Sequence, residues 1–268
     1  MIWAAPGRMN FYTSTMTPLL FDLQNEQDPV LQAEEAFLLG QVADAGGPIL
    51  DLGCGTGRIL LPAAQRGFPI YGCDGSVPFL RRLAQKANAQ GLSARVWQAG
   101  IENPGAGPSF FHLAFAAFRT VNHILDPVGL ARFFLSASYL LVPHGKLILN
   151  TAATCAEDLM EIHGQKILMG ELQYPETGDP ILWWGMTRFD ERTNIMEEWC
   201  DYDFIAPDGR VSSSWHFDFL MRLVSRDEIL RLAGQSGFVL VEEMEGFGAY
   251  GESPGDIVWI FEKSGADS

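Results

Sequence analysis

The chain has 268 residues, enough for one large domain with an addition and for a proper buried core. With 47% hydrophobic and 19% charged residues, it is neither a disordered chain nor a coiled coil. Its 33 acids against 18 bases, a net charge of −15, oppose binding to nucleic-acid phosphates and to anionic membranes.

The first 45 residues carry Trp3, Phe11, Tyr12 and Phe21. Within them, Val30, Ala33, Phe37, Leu38 and Val42 recur at helical spacing, and Ala45-Gly46-Gly47-Pro48 breaks that helix. Apolar runs and helical patterns then alternate. Strands are expected at Ile49 to Gly53, Pro69 to Asp74, Ala94 to Ala99, Leu113 to Phe118 and Lys146 to Ala152. A helix from Gly57 to Gln65 ends at Gly67, and a second is capped by Ser76 with Pro78 in its first turn. That second helix is expected to bury Phe79, Leu80, Leu83, Ala84 and Ala87. A third runs from Asp126-Pro127 to about Leu141. Strand, helix, strand at this spacing means parallel βαβ units and a doubly wound α/β sheet.

The pattern then changes. Ile181 to Phe189, Ile195 to Ile205 and Ser213 to Leu223 are aromatic-rich and separated by turn residues, as antiparallel strands are. Ser225 and Glu228 form a capping box for a helix closed by Gly237, and strands at Val239 to Gly246 and Ile257 to Lys263 follow. The expected organisation is a helical cap over 1–45, a nucleotide-type domain over 46–152 and 224–268, and an antiparallel insertion over 153–223. Charge supports two units. Asp51 to Asn150 holds nine bases and four acids, whereas Ala156 to Arg210 holds four bases and thirteen acids.

No run reaches the ~18 apolar residues of a membrane span. Met1 to Met9 lack the basic and apolar regions of a signal peptide. Cys54, Cys73, Cys155 and Cys200 lie far apart with no metal-type spacing, which reads as reduced cytoplasmic thiols and no structural zinc.

The stretch with most chemical content is Ile49-Leu50-Asp51-Leu52-Gly53-Cys54-Gly55-Thr56-Gly57-Arg58. A buried strand feeds a turn with glycines at 53, 55 and 57, where a ligand can lie against bare main chain and meet the N–H groups of the next helix. The spacing is GxGxG, not the GxGxxG of a dinucleotide site. Asp51, two residues before the first glycine, suits a ligand with a cationic or amino group better than a pyrophosphate. Asp74 ends the second strand, where a carboxylate accepts bonds from both ribose hydroxyls of a nucleoside.

DLGCGTGR followed by YGCD resembles motif I and its successor in class I S-adenosylmethionine-dependent methyltransferases. Phe21-Asp22, the segment Phe115 to Ile124, the stretches Arg188-Phe189-Asp190 and Trp199 to Asp203, Ala206 to Arg210, and Ser236-Gly237-Phe238 resemble the glycine/sarcosine and amino-sugar N-methyltransferases. The resemblance implies a seven-stranded Rossmann-like sheet with a substrate-covering insertion, and S-adenosylmethionine as cofactor, leaving as S-adenosylhomocysteine. It puts Gly53, Cys54 and Gly55 on the methionine moiety by backbone, with Asp51 near its amino group. Asp74 would hold the ribose, with Gly75 and Ser76 beside it. Ile101 would pack on the adenine, and Ala117 and Phe118 would line the sulfonium side. Two positions depart from the family pattern: Gly100 stands where an acid usually meets the adenine amino group, with Glu102 two residues on, and His112 stands for an Asp and is expected to be structural.

His123 is the candidate base for an amine nucleophile, since histidine titrates near neutrality. His163 and His216 are lesser candidates. Tyr12, Phe21, Arg119, Trp183, Trp199 and Tyr250 are the candidate acceptor contacts, with Trp184, Tyr202 and Trp215 in the same aromatic set, suiting a bulky, cationic or aromatic small molecule. Nitrogen is favoured as acceptor by resemblance, with oxygen and carbon as alternatives. Rival readings are a catalytically silent cofactor-binding protein, a nicotinamide-dependent oxidoreductase, and a methyltransferase acting on nucleic acid, which the net charge opposes, or on protein. The oligomeric state is left open.

Overall fold

The computed structural model describes residues 8–152, 154–250 and 255–265. In chain order the elements are β1 (Met9–Asn10), α1 (Thr17–Gln27), α2 (Pro29–Asp44), β2 (Ile49–Leu52), α3 (Leu60–Gln65), β3 (Ile70–Asp74), α4 (Val77–Ala89) and β4 (Val96–Gln98). There follow β5 (Phe111–Ala116), α5 (Pro127–Leu140), β6 (Leu141–Ala152), α6 (Ala156–Glu161), β7 (Ile167–Gln173), β8 (Pro180–Asp190) and β9 (Ile195–Ile205). The last are β10 (Val211–Arg222), α7 (Arg226–Gln235), β11 (Phe238–Glu245) and β12 (Asp256–Lys263).

The chain divides into two compact units: the described part of Met1–Gln27 with Thr154–Leu223, and Asp28–Ala153 with Val224–Ser268 in its described part. The N-terminal 45 residues are thus shared between them, α1 in the first unit and α2 in the second.

The second unit is built on a seven-stranded sheet of order β11-β12-β6-β5-β2-β3-β4. Strands β4, β3, β2, β5 and β6 pair in parallel, and β12 runs antiparallel to both β6 and β11. Alternate side chains of a strand point to opposite faces. On β5, Ala114 and Ala116 thus face the core under α5 and α7, while Leu113 and Phe115 face the core under α2, α3 and α4. Burial on both faces explains the continuous apolar runs. The order reverses at β2, so the crevice outside the carboxyl ends of β2 and β5 is the topological switch point where such sheets bind ligands.

The first unit is a five-stranded sheet of order β1-β10-β9-β8-β7, antiparallel except for β1. Phe11 packs edge-on against Phe217 and Phe219, and Gln24 of α1 donates to the Tyr202 hydroxyl at 2.7 Å.

Several boundaries differ from expectation. The first α/β helix starts at Leu60 rather than Gly57, because Gly57 has φ +86°, outside the helical region. β5 stops at Ala116 rather than Phe118, because Phe118 and Arg119 are both left-handed (φ 51° and 55°). Ala84 is exposed on α4, whose buried stripe is Phe79, Leu83 and Ala87, with Leu80 half-buried. β6 starts at Leu141, five residues early, and β1, α6 and β7 have no counterpart among the expected elements.

Candidate active site

Gly53, Gly55 and Gly57 all have positive φ (82°, 54° and 86°), which glycine adopts without a Cβ penalty. Gly53 is required for a second reason: a Cβ there would lie 2.5 Å from Cγ2 of Thr120. The loop folds onto the end of β3. Gly53 and Cys54 both donate to the Cys73 carbonyl (2.8 and 3.0 Å), Gly57 to the Cys54 carbonyl (2.9 Å), and Gly55 to Oδ2 of Asp74 (2.9 Å). These amides are therefore spent inside the protein, and α3 begins beyond them. In the first turn of α3, Leu61 donates to the Gly57 carbonyl at 3.0 Å.

Asp51 is 2% exposed. Burial pushes its carboxyl well above the usual carboxylate range; Arg58 opposes that, and Asp74 and Glu34 add to it. A cation placed beside Asp51 would lower its carboxyl, as Arg58 does. Burial also raises Asp74, while amide bonds from Ser76 and Gly55 pull it down. Ser76 donates its amide to Oδ1 of Asp74 at 2.7 Å, and its hydroxyl caps α4 at Phe79. Each Asp74 oxygen keeps a further lone pair for a hydroxyl donor. Gly75 has open space where a Cβ would stand, so a ligand can come close. Burial raises the Cys54 and Cys73 thiols, the latter to about 12, so both stay neutral.

Ile101 is buried in the turn after β4. At Gly100 a Cβ would lie 2.9 Å from Oε2 of Glu102, so the Glu102 carboxylate occupies the space that a side chain at 100 would take. His112 packs its ring over Gly47, where a Cβ would lie 2.3 Å from Cδ2.

Beyond β5, Ala117 is half-buried and Phe118 is 43% exposed. Two consecutive left-handed non-glycine residues cost about 1–3 kcal/mol each and persist only when their surroundings enforce them. Here the Phe118 amide donates to Oε1 of Glu34 and the Arg119 amide to Oδ1 of Asn150, both at 2.8 Å. The Arg119 guanidinium, a candidate acceptor contact, is bound to Asp256 at 2.5 Å and reaches the Gly255 carbonyl at 3.4 Å. Thr120 turns back to donate to the Ala117 carbonyl at 2.5 Å. His123 ends the single 3₁₀ turn that follows and is half-buried.

One group of expected residues therefore converges at the carboxyl ends of β2, β3, β4 and β5. Tyr12, Phe21, Trp183 and Trp199 belong to the other unit. Tyr12 packs on Phe219, Phe21 lies half-buried on α1, and Trp183 is half-buried on β8. Trp199 already carries the Arg8 guanidinium 3.9 Å from its ring centroid and that of Arg188 at 5.4 Å. The Tyr250 side chain lies outside the described residues. Of the lesser histidines, His163 accepts the Phe189 amide at 3.1 Å and His216 pairs with Asp201 at 3.1 Å. Among the described residues no three His, Cys, Asp or Glu are grouped to hold a metal, and no helix is long and apolar enough to cross a membrane.

Sequence reading missed Glu34, Asn150 and Asp256. Glu34 had a signal: it is an acid inside the apolar stripe of α2, between Ala33 and Phe37. It is 1% exposed and paired with Arg58, the residue directly after the third glycine.

Residues 49–145 match the methyltransferase domain family. A ubiquinone biosynthesis O-methyltransferase of Caulobacter sp. is 32% identical over 42% of this chain and 43% of its own length. The chain spans about two-fifths of the length of the curated relatives it matches. The fold around the domain is that of class I S-adenosylmethionine-dependent methyltransferases. A methyltransferase of this kind from Clostridium acetobutylicum aligns over 92% of this chain and 97% of its own at a TM-score of 0.73 and 15% identity. A SAM-bound amino pentose methyltransferase from Micromonospora echinaspora aligns over 92% and 96% at 0.71 and 16%. The residues matched by the family, 49–145, contain the glycine loop, Asp51, Asp74 and the left-handed turn after β5.

Proposed function

We propose that the protein transfers a methyl group from S-adenosylmethionine to a small-molecule amine by in-line displacement. The observation that carries this reading is the glycine loop: its amides are spent inside the protein and a buried carboxyl stands two residues upstream. That arrangement suits a ligand bearing an amino group and a nucleoside, and disfavours a dinucleotide.

When bound, the cofactor supplies an electrophilic sulfonium methyl. The protein's own work is to align and desolvate the nucleophile. Asp51 and the carbonyls of Gly53 and Cys54 receive the amino group, and Asp74 accepts from the ribose with Gly55, Gly75 and Ser76 shaping its surroundings. Ile101 packs on the adenine, and Ala117 and Phe118 border the sulfonium. His123 takes the proton that the amine must lose. Tyr12, Phe21, Trp183, Trp199 and Tyr250 choose the acceptor, and Arg119 contributes through the turn it anchors. Four free cysteines support a cytoplasmic setting.

Nitrogen is supported by the motifs shared with the amino-sugar enzymes. A second reading, an oxygen acceptor, is supported by the O-methyltransferase name of the curated relatives.

Calorimetric titration with S-adenosylhomocysteine, with NAD as control, is the test. Saturable binding of the former alone is expected; binding of NAD instead would overturn the reading. Methyl acceptance by amines against phenols then separates the two acceptors. Replacing His123 with Ala should lower turnover about a hundredfold with cofactor affinity retained. Unchanged turnover would remove it from the mechanism.

A further inference from the structure

We infer that Glu34 is a positioning residue that sets the turn over Ala117-Phe118-Arg119 and, through it, the methyl side of the cofactor site. The inference rests on the methyltransferase reading for its last step, but its structural part does not. One buried carboxylate joins three elements. Glu34 sits on α2, pairs with Arg58 at the end of the glycine loop, and accepts the Phe118 amide at 2.8 Å. Arg58 in turn donates to the Leu31 carbonyl at 2.7 Å, which ties the pair back to α2.

The geometry gives this carboxylate a specific task. Phe118 and Arg119 are consecutive left-handed residues, and neither is glycine. Without an acceptor for each amide the turn would relax toward extended backbone. Glu34 and Asn150 supply those acceptors. The turn delivers Thr120 against Gly53, where even one methyl group would not fit. A relaxed turn would therefore move the wall that faces the first glycine of the cofactor loop. Arg58 also acts on Asp51, lowering a carboxyl that burial raises, so the Glu34–Arg58 pair tunes both sides of the site.

Two variants separate the roles of Glu34. Glu34→Asp keeps the charge facing Arg58 but shortens the reach to the Phe118 amide. Glu34→Gln keeps an acceptor but loses the ion pair. Binding of S-adenosylmethionine and of S-adenosylhomocysteine is measured by calorimetry, and hydrogen exchange is followed over residues 113–124. For Glu34→Asp the preference for the sulfonium form over the thioether should shift by about fivefold or more, with thioether affinity changed less, because Asp51 and Asp74 are untouched. The Phe118 amide should exchange at least about tenfold faster than in the wild type. Glu34→Gln should show less of this exchange than Glu34→Asp. A folded Glu34→Asp variant with wild-type exchange and an unchanged ratio overturns the inference. The wild-type protein offers a test that needs no variant: its Phe118 amide should exchange slowly although it lies in a loop, and fast exchange in the folded protein overturns the clamp. If the wild type binds neither cofactor form, the methyltransferase reading fails, while the exchange measurement still decides the clamp.

Discussion

Asp51 in the second unit is 2% exposed and Asp201 in the first is 5% exposed, yet their surroundings treat the charge in opposite ways. At Asp201 burial raises the carboxyl, but bonds from Arg8 (2.7 Å), Lys166 (2.8 Å) and His216 (3.1 Å) prevail and hold it at about 2. At Asp51 burial prevails and the carboxyl is pushed well up, with Arg58 only moderating it and Asp74 and Glu34 adding to it. An acid that serves the fold is supplied with cations by the chain itself. On the proposed function, the acid short of cations at the mouth of the glycine loop is the one that receives the cofactor's amino group.

The largest effect should come from breaking the first arrangement. Asp201→Asn leaves Arg8 with a lost partner in a buried setting, and chemical denaturation should register a loss of about 3 kcal/mol. Asp51→Asn should leave stability unchanged or raise it, because it removes a carboxyl that is costly to ionise where it sits. If the two variants destabilise equally, the distinction between the two acids is wrong. The order reverses for ligand: Asp51→Asn should weaken S-adenosylhomocysteine by about tenfold or more, or 1.4 kcal/mol, and Asp201→Asn should not.

Titration sharpens the same contrast. The Asp201 carboxyl is lower in the folded state, so its stabilisation is present above its ordinary value of 3.8 and is lost as pH falls toward about 2. Asp51 is raised in the folded state, so its contribution is favourable below 3.8 and is lost as pH climbs from there through its folded value. As pH rises, the Asp201→Asn curve should therefore fall below the wild type between about 2 and 3.8, and the Asp51→Asn curve should rise above it beyond 3.8. Departures of the same sign would mean that one acid has been misassigned.

The sequence showed the fold well where its signals are local. The βαβ run and the hairpins of β8, β9 and β10 follow from apolar period and turn residues within a few positions. β7 escaped because six of its seven residues are exposed or half-buried, leaving no alternation to read. β1 has two residues, too few for any pattern. The site divides in the same manner. Asp51, the glycines and Asp74 lie within 24 residues and announce themselves by spacing. Glu34 meets Arg58 across 24 positions and Phe118 across 84, and the left-handed turn it holds contains no glycine to mark it. The later start of α3 was also hidden, since a glycine at position 57 reads equally as the first residue of a helix and as the last of a turn.

Glu102 supplies the smallest test, because it lies between the two cases. It is half-buried, and its carboxylate stands over Gly100 in the space that a longer side chain there would fill. We propose that it meets the adenine amino group, the contact that an acid at position 100 would otherwise make. That donor is neutral, so the gain is that of one hydrogen bond to a charged group rather than of an ion pair. Glu102→Ala should weaken S-adenosylhomocysteine by about fivefold, close to 1 kcal/mol. The loss should nearly vanish for the inosine analogue, which has no amino group to offer. A loss of equal size for both ligands would make Glu102 a support for the loop around Ile101 rather than a contact of the adenine.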